Sequence, residues 1–305
     1  MLRMSEYALC FDSGVISALL RHSRKPLLEQ VSFQIRHGES LALIGETGSG
    51  KTMTALSILG LLPANVRRSG GDIRFDGVPQ PEAEKMRKKR GEQVVYIPQS
   101  GLESLNPART VYRQFCDQLR KLHIPRNQWK NTAQSRLTLA GLSSPEDVLK
   151  KYPFQLSGGM AQRVTIALAA CASPALVIAD EPTNGLDEAA KRAFLHLLQT
   201  VFPNAGRLII THDMGVAAVC DRVLVLCGGK AMEIGSASEV LNRPRHPYTR
   251  ALIAALVENG MAETPALREG SAICPFYRRC PLASERCLSE LPRRIEGDSE
   301  WWCGA

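Results

Sequence analysis

Apolar residues along this chain come in short dense runs separated by longer stretches with helical spacing. Val31–Ile35, Ser40–Ile44, Asp72–Phe75 with the Asp76-Gly77 turn, and Val94–Ile97 are too short for helices and are bounded by turn residues, so they read as strands. Between Val111 and Leu142 the pattern changes. Val111, Tyr112, Phe115, Leu119 and Leu122 recur at helical intervals, and Trp129, Leu137 and Leu139 do so again, which predicts a helical insert. After Tyr152-Pro153 the short runs return at Leu176–Ala179, Leu208–Ile210 and Val223–Leu226, with helix-compatible segments between them. Strands that are nearly all apolar and alternate with helices predict a parallel α/β sheet covered on both faces. Pro244, Pro247 and the mixed stretch Asn259–Ser271 mark a boundary before the C-terminal tail. No internal repeat or low-complexity segment interrupts this order.

The chain has 305 residues and 44% apolar content, enough for one large α/β domain with an appendage or for two modest domains. No apolar run approaches the roughly 18–20 residues that span a bilayer. Arg3, Glu6 and Asp12 interrupt the N-terminus where a secretory apolar stretch would sit, so the chain is expected to stay in the cytoplasm. The net charge is +8, and the densest basic run, Lys85–Arg90, has no interleaved aromatics for base stacking. That run reads as a solvated surface, and no nucleic-acid partner is expected. Of nine cysteines, Cys10, Cys116, Cys171, Cys220 and Cys227 lie scattered among apolar neighbours, as buried thiols of a reducing compartment would. Cys274, Cys280, Cys287 and Cys303 crowd the tail and call for a separate explanation.

The chemistry begins at Gly45-Glu46-Thr47-Gly48-Ser49-Gly50-Lys51-Thr52, which fits G-x-x-x-x-G-K-[ST] in full and sits between a predicted strand and a predicted helix. Its glycines let backbone N–H groups turn onto phosphate oxygens, and the helix start adds its positive dipole end. Lys51 is expected to reach the β- and γ-phosphates of ATP, and the Thr52 hydroxyl to ligate Mg²⁺. The run Leu176–Ala179 delivers Asp180 and Glu181 at its C-terminal end, where open α/β sheets place ligands. Asp180 is suited to the Mg²⁺ shell, and Glu181 to polarising a water in line with the γ-phosphate. In Leu156-Ser157-Gly158-Gly159-Met160 a hydroxyl and two glycines precede another helix, a second start prepared for a phosphate. Two cradles in one subunit suggest two subunits closing on ATP.

This set of motifs, spread over nearly the whole chain, resembles the nucleotide-binding subunit of an ABC transporter. The resemblance implies an α/β P-loop NTPase fold: a RecA-like parallel sheet with an antiparallel β edge, a helical subdomain at about 101–164, and a small cysteine-bearing C-terminal extension. It implies a nucleotide-binding domain over 1–243 and the extension over 244–305. Leu156–Met160 matches the signature that closes on the ATP of the opposing subunit, through Ser157, Gly158 and Gly159. Gln99 matches the Q-loop glutamine that contacts Mg²⁺ and the attacking water and couples to the membrane subunit. His212 in Thr211-His212-Asp213 matches the switch histidine that holds the γ-phosphate, and Asn184–Asp187 matches the D-loop. The chain departs from the common pattern at Met160, where most signatures carry glutamine, and in a D-loop without its usual serine-alanine pair. Methionine lacks the hydrogen bonds of an amide, yet the helix start and Ser157 remain, so the composite site is expected to work. For the aromatic that stacks on adenine, His22 and the less well placed Phe11 are the local candidates, with no choice made between them.

The Ser-Gly-Gly-Met signature, Asn106-Pro107, and His246-Pro247-Tyr248-Thr249 followed by Ala251-Leu252-Ile253 are similar to the D-type ATPase of dipeptide, oligopeptide and nickel importers. The resemblance implies ATP hydrolysis at the cytoplasmic face of the cell membrane, peripherally bound. Its partners would be a homologous F-type ATPase, two membrane permeases and an extracytoplasmic substrate-binding protein. The tail looks like the cysteine-bearing extension of that branch, which carries a [4Fe–4S] cluster in some members. Four thiolates in a short cytoplasmic segment suit an iron–sulfur cluster or a tetrahedral zinc better than disulfides. The spacing C-x5-C-x6-C-x15-C lacks the tight pairs of common zinc modules, which favours the cluster. The rival reading is a soluble ABC ATPase acting on nucleic acid or ribosomes. Such proteins typically carry two cassettes or a long coiled-coil insertion, and this sequence has one cassette and no sustained heptads. Peptide, nickel and metal-chelate cargoes leave no mark on these residues.

Overall fold

The computed structural model describes residues 7–19, 24–80, 83–255 and 272–305, so His22 and the boundary stretch Asn259–Ser271 lie outside the described residues. In chain order the strands are β1 (Tyr7–Leu19), β2 (Arg24–Arg36), β3 (Ser40–Ile44), β4 (Val66–Phe75), β5 (Val78–Pro79) and β6 (Val94–Ile97). They continue with β7 (Leu176–Asp180), β8 (Gly206–Ile210), β9 (Arg222–Cys227), β10 (Lys230–Ser236), β11 (Arg293–Glu296) and β12 (Ser299–Trp302). The helices are α1 (Lys51–Leu59), α2 (Ala83–Lys89), α3 (Gly101–Ser104), α4 (Val111–Lys121), α5 (Trp129–Leu139) and α6 (Pro145–Lys150). After them come α7 (Gly158–Ala169), α8 (Glu188–Val201), α9 (Met214–Ala218), α10 (Ala237–Asn242), α11 (Pro247–Ala254) and α12 (Arg286–Ser289).

Two sheets organise the molecule. The larger runs β11-β12-β10-β9-β3-β8-β7-β6, parallel from β9 to β6 and antiparallel from β9 outward to β11. Every residue of β3 and β8 is buried, the signature of strands covered on both faces. The smaller sheet, β2-β1-β4-β5, is antiparallel and packs Leu9, Phe33, Ile35, Ile73 and Phe75 against Leu41, Leu43 and Leu208 of the larger one, with Ile58 of α1 in the same cluster. Phe11 belongs to this core: it is 1% exposed and stacks on Phe33 with ring centroids 5.2 Å apart. A side chain so enclosed has no face for an adenine ring, which removes Phe11 as a stacking candidate.

Helices α3 to α7 form a separate layer. Phe115, Leu119, Trp129, Leu137 and Val148 join Ala161 and Val164 of α7 in a cluster that also takes in Val95, Ile97, Val177 and Ala179 of β6 and β7. The helical spacing between Val111 and Leu142 thus becomes a packed subdomain seated on one end of the sheet. Ser100, Thr110 and Ser157 cap α3, α4 and α7 with their hydroxyls. The basic run behaves as a surface: Lys85, Arg87 and Lys88 are exposed and only Met86 is buried. Arg90 turns back to donate to the carbonyls of Leu59 and Gly60 at 3.0 and 3.3 Å, satisfying the end of α1.

The tail is continuous with the main sheet. Glu233 and Ile234 of β10 pair with Trp301 and Glu300 of β12, so the β11–β12 hairpin covers a strand edge that would otherwise expose its backbone. Cys220 and Cys227 are buried as expected, Cys10, Cys116 and Cys171 are half-buried, and no cysteine is in a disulfide. Among the described residues no helix is long and apolar enough to cross a membrane.

Candidate functional site: a phosphate loop facing two strand-end carboxylates

Buried strand β3 ends at Ile44 and hands the chain to the loop 45–50, which opens α1. The turn needs a glycine at its first position: Gly45 has φ 151, and a Cβ there would lie 2.2 Å from the Leu226 carbonyl oxygen. Glu46, Thr47 and Gly48 are exposed, while Ser49 is buried with its hydroxyl unpartnered. The Ser49 N–H donates to the Glu46 carbonyl at 3.1 Å, and Gly229 N–H donates to the Ser49 carbonyl at 2.9 Å, which ties the loop to the β9–β10 turn. The first turn of α1 contains no acidic residue, so its N–H groups and dipole face outward uncompensated. Lys51 Nζ folds back onto the carbonyls of Gly45 at 2.7 Å and Glu46 at 3.1 Å. Thr52 is exposed beside it.

Opposite stands the end of β7. Burial pushes the Asp180 carboxyl above the usual carboxylate range, and Tyr96, donating its hydroxyl to Asp180 Oδ2 at 3.0 Å, works against that shift. Burial lowers the Lys51 ammonium, and the charges of Glu181, Asp180 and Glu46 oppose the change, so these carboxylates lie within electrostatic reach of Lys51. Glu181 has φ 46, a left-handed conformation that non-glycine residues rarely adopt, held by its N–H donating to Ile210 at 2.8 Å. Its carboxylate lies 2.8 Å from His212 Nδ1 and accepts from the His212 backbone N–H at 3.4 Å. Asp213, next in the chain, caps α9 and pairs with Lys191. Asn184 and Gly185 are exposed beside this corner.

The structure brings Lys51, Asp180, Glu181 and His212 together at the C-terminal edge of the parallel sheet. The remaining sites lie apart. Gln99 is exposed in the bend after β6, and Ser157 is exposed at the start of α7, where its hydroxyl accepts the Met160 N–H at 3.3 Å. Ideal Cβ atoms on Gly158 and Gly159 would meet nothing within 4 Å. No hydrogen bond or ion pair among the described residues links Gln99 or Ser157–Gly159 to the loop 45–52. Three further contacts escaped the sequence reading: Tyr96 on Asp180, Tyr248 on the Glu46 N–H, and Arg279 on the Glu46 carboxylate. Tyr248 stood inside a noticed motif, but nothing local linked it to the loop.

The tail cysteines are enclosed as well. Cys274, Cys280, Cys287 and Cys303 are all buried, and the first three share one cluster with Phe276 and Tyr248. The Cys274 N–H donates to the Cys287 carbonyl at 3.2 Å. Burial pushes the Cys274 thiol up to about 11, with Cys287, Cys280 and Cys303 acting in the same direction. Among the described residues no three His, Cys, Asp or Glu side chains are arranged as a metal site.

A glycine loop between a parallel strand and a helix, faced by two carboxylates at the end of another strand, defines a P-loop nucleoside triphosphatase. The ABC transporter family model matches residues 28–184, and the model of the oligopeptide/dipeptide transporter C-terminal region matches residues 232–287. A probable peptide ABC transporter ATP-binding protein of Sinorhizobium fredii is 37% identical over 280 residues, covering 86% of this chain and 83% of the relative. The oligopeptide transport ATP-binding protein of Escherichia coli is 39% identical over 282 residues, covering 87% and 83%. Among solved structures, cbiO1 from Clostridium perfringens, part of the transporter complex cbiONQ, superposes with a TM-score of 0.66 at 26% identity over 78% of this chain and 92% of that one. A dimeric ATP-binding cassette, MJ0796 with ADP and phosphate, shares the fold at a TM-score of 0.65 and 23% identity, over 75% and 98%. The chain belongs to the ABC transporter family and is an ATP-binding, ATP-hydrolysing subunit of an ABC transport system.

Proposed function

We propose that this chain is the D-type ATPase of a peptide importer, working with a homologous F-type ATPase, two membrane permeases and an extracytoplasmic binding protein. The observation that carries this reading is the peptide-transporter C-terminal region at 232–287, joined in one chain to a complete phosphate loop. The two sequence relatives described above are a probable peptide transporter ATP-binding protein and an oligopeptide transport ATP-binding protein, which favours a peptide over nickel or a metal chelate as cargo. Attachment at the cytoplasmic face would be peripheral, through the permeases. A cleft of about 790 Å³ lined by Leu61, Tyr96, Pro98 and Leu105 lies beside Gln99, between β6 and the helical layer, and suits a permease segment.

In this reading Gly45 to Thr52 wrap the phosphates of ATP, and Lys51 leaves its two loop carbonyls to bind the β- and γ-phosphates. Thr52, Asp180 and Gln99 would hold Mg²⁺, which when bound neutralises charge on the phosphates. The donor set fits, with an exposed Thr52 hydroxyl and an Asp180 carboxylate whose burial-raised pKa is opposed by Tyr96 and Lys51. Glu181 accepts a proton from the attacking water, and His212, now paired with Glu181, moves to the γ-phosphate oxygen. Ser157, Gly158 and Gly159, at the start of α7, would close on the ATP of the partner ATPase, consistent with the exposure of Ser157 and the open space at the two glycines. Cys274, Cys280, Cys287 and Cys303 would hold a metal centre, a [4Fe–4S] cluster in preference to zinc; all four are buried, but among the described residues they are not arranged as a metal site, so binding would require them to close in.

The test is reconstitution with the permeases encoded beside this chain. ATP turnover should rise when the binding protein presents a peptide and should not respond to RNA or DNA. Stimulation by nucleic acid without any response to permeases would replace this reading with the soluble ATPase.

A further inference from the structure

Glu46 is an unusual neighbour for a polyphosphate. Its carboxylate sits in the loop that wraps the phosphates, within electrostatic reach of Lys51, where negative charge works against the ligand. Its N–H and its carboxylate are nevertheless engaged from outside the loop, and only its carbonyl is engaged from within it. The Glu46 N–H donates to Tyr248 Oη at 3.1 Å, its carbonyl accepts from Ser49 N–H and Lys51 Nζ at 3.1 Å each, and its carboxylate is held by both Arg279 amino groups at 2.9 Å. Arg279 and Tyr248 both come from beyond β10. The guanidinium lies 5.3 Å from the Phe276 ring centroid, and Phe276 meets the buried Tyr248 edge-on at 5.3 Å, so one stacked unit grips both the backbone and the side chain of Glu46. The backbone beneath is fitted closely: Gly228, at φ 50, would with a Cβ stand 2.6 Å from Pro275 Cβ.

We infer that Arg279 is a positioning residue for ATP binding, a counter-charge supplied by the C-terminal extension that keeps the Glu46 carboxylate turned away from Lys51 and the phosphates. The inference rests on reading residues 45–52 as the phosphate loop. Without Arg279 the freed carboxylate adds its charge to the site and competes for the Lys51 ammonium that the β- and γ-phosphates require. The pair is partly exposed, 32% for Arg279 and 45% for Glu46, so its contribution to fold stability is small and its effect falls on the ligand. The folded state of the extension is thereby coupled to nucleotide affinity, because Arg279 reaches Glu46 only when Phe276 stands on Tyr248.

The experiment is a double-mutant cycle on the full-length chain, with ATP dissociation constants measured by calorimetry and turnover measured with the partner ATPase. Arg279→Ala should weaken ATP binding about tenfold, the scale of one partly screened charge at close range, with KM rising by a similar factor and kcat little changed. Arg279→Lys should recover part of the affinity. In a Glu46→Gln background Arg279→Ala should have no further effect, since no carboxylate is left to restrain. Weakening that persists undiminished in that background would trace to a disturbed fold of the extension and overturn the inference. Lys51→Ala separates the two readings. If Lys51→Ala loses ATP while Arg279→Ala binds as wild type, the counter-charge role is wrong and the loop assignment stands; if Lys51→Ala binds as wild type, the loop assignment itself fails.

Discussion

His212 Nδ1 lies 2.8 Å from a carboxylate oxygen of Glu181, and Glu181 is held at φ 46 on the end of β7. The pairing joins the two residues expected to contact the attacking water and the γ-phosphate, and the Glu181 carboxylate lies within electrostatic reach of Lys51. Glu181→Gln removes the base while keeping shape and hydrogen bonding. ATP binding should survive and steady-state turnover should fall by roughly 10²–10⁴-fold, the scale of a positioned general base. Turnover is measured with the partner ATPase present, and wild-type rates in a clean preparation would refute the assignment.

The hydroxyl of Tyr96 opposes the burial that raises the Asp180 pKa. Tyr96→Phe deletes that bond, so Asp180 should titrate at still higher pH. Because Mg²⁺ needs the ionised carboxylate, the acid limb of the kcat/KM profile should move upward in pH. Mg²⁺ affinity at neutral pH should weaken about fivefold, consistent with ~1 kcal/mol for a partly exposed bond to a charged group. An unchanged pH profile and Mg²⁺ dependence would separate Tyr96 from the site.

Ser157 is exposed, and Cβ atoms on Gly158 and Gly159 would meet open space. Ser157→Arg fills that space with a long cation, so ATP binding by the isolated chain should be nearly unchanged while ATP-dependent pairing with the partner ATPase is lost. Light scattering with and without ATP measures this directly. Normal pairing by the variant would argue against a shared site.

The four tail cysteines should act as one unit. Anaerobically purified protein should be brown, with iron and acid-labile sulfide near stoichiometric, and any one Cys→Ser change should remove both together. Stoichiometric zinc without sulfide would replace the cluster with a zinc site, and metal-free protein under anaerobic handling would sink the metal reading while leaving the ATPase untouched.

Burial lowers His246 to about 4. It is 1% exposed, and its Nδ1 accepts the Tyr248 N–H at 3.0 Å at the start of α11. An unfolded histidine titrates near 6.5, so between pH 6.5 and about 4 the unfolded chain binds the extra proton. The stability contributed by neutral His246 is present above pH 6.5 and is lost as the pH falls toward 4, by up to about 3 kcal/mol. Urea midpoints across that range should drop for the wild type and drop less for His246→Asn, which keeps a capping side chain.

The chemistry of the site was legible in consecutive residues because phosphate binding demands particular residue types at fixed spacing. Gly45 to Thr52, the Asp180-Glu181 pair and Ser157–Gly159 each lie within one turn or strand end, and their meaning is local. The dense runs that became β3, β7, β8 and β9 were equally plain, since a strand buried on both faces has no polar side. Strand β1 was not, because the turn-forming residues Asp12-Ser13-Gly14 interrupt its apolar run, and it is pairing with β2 and β4 that carries the strand across them. The β11–β12 hairpin was hidden too: all four residues of β11 are exposed, and what fixes the hairpin is the open edge of β10.

The sequence by itself determined the phosphate-loop motif and the strand-end carboxylate pair. Only the tertiary structure decided what restrains them, placing Tyr96 on Asp180 across 84 residues and Arg279 on Glu46 across 233. Such pairs leave no periodic or spacing signal, because they depend on which strand ends and turns the completed sheet brings side by side.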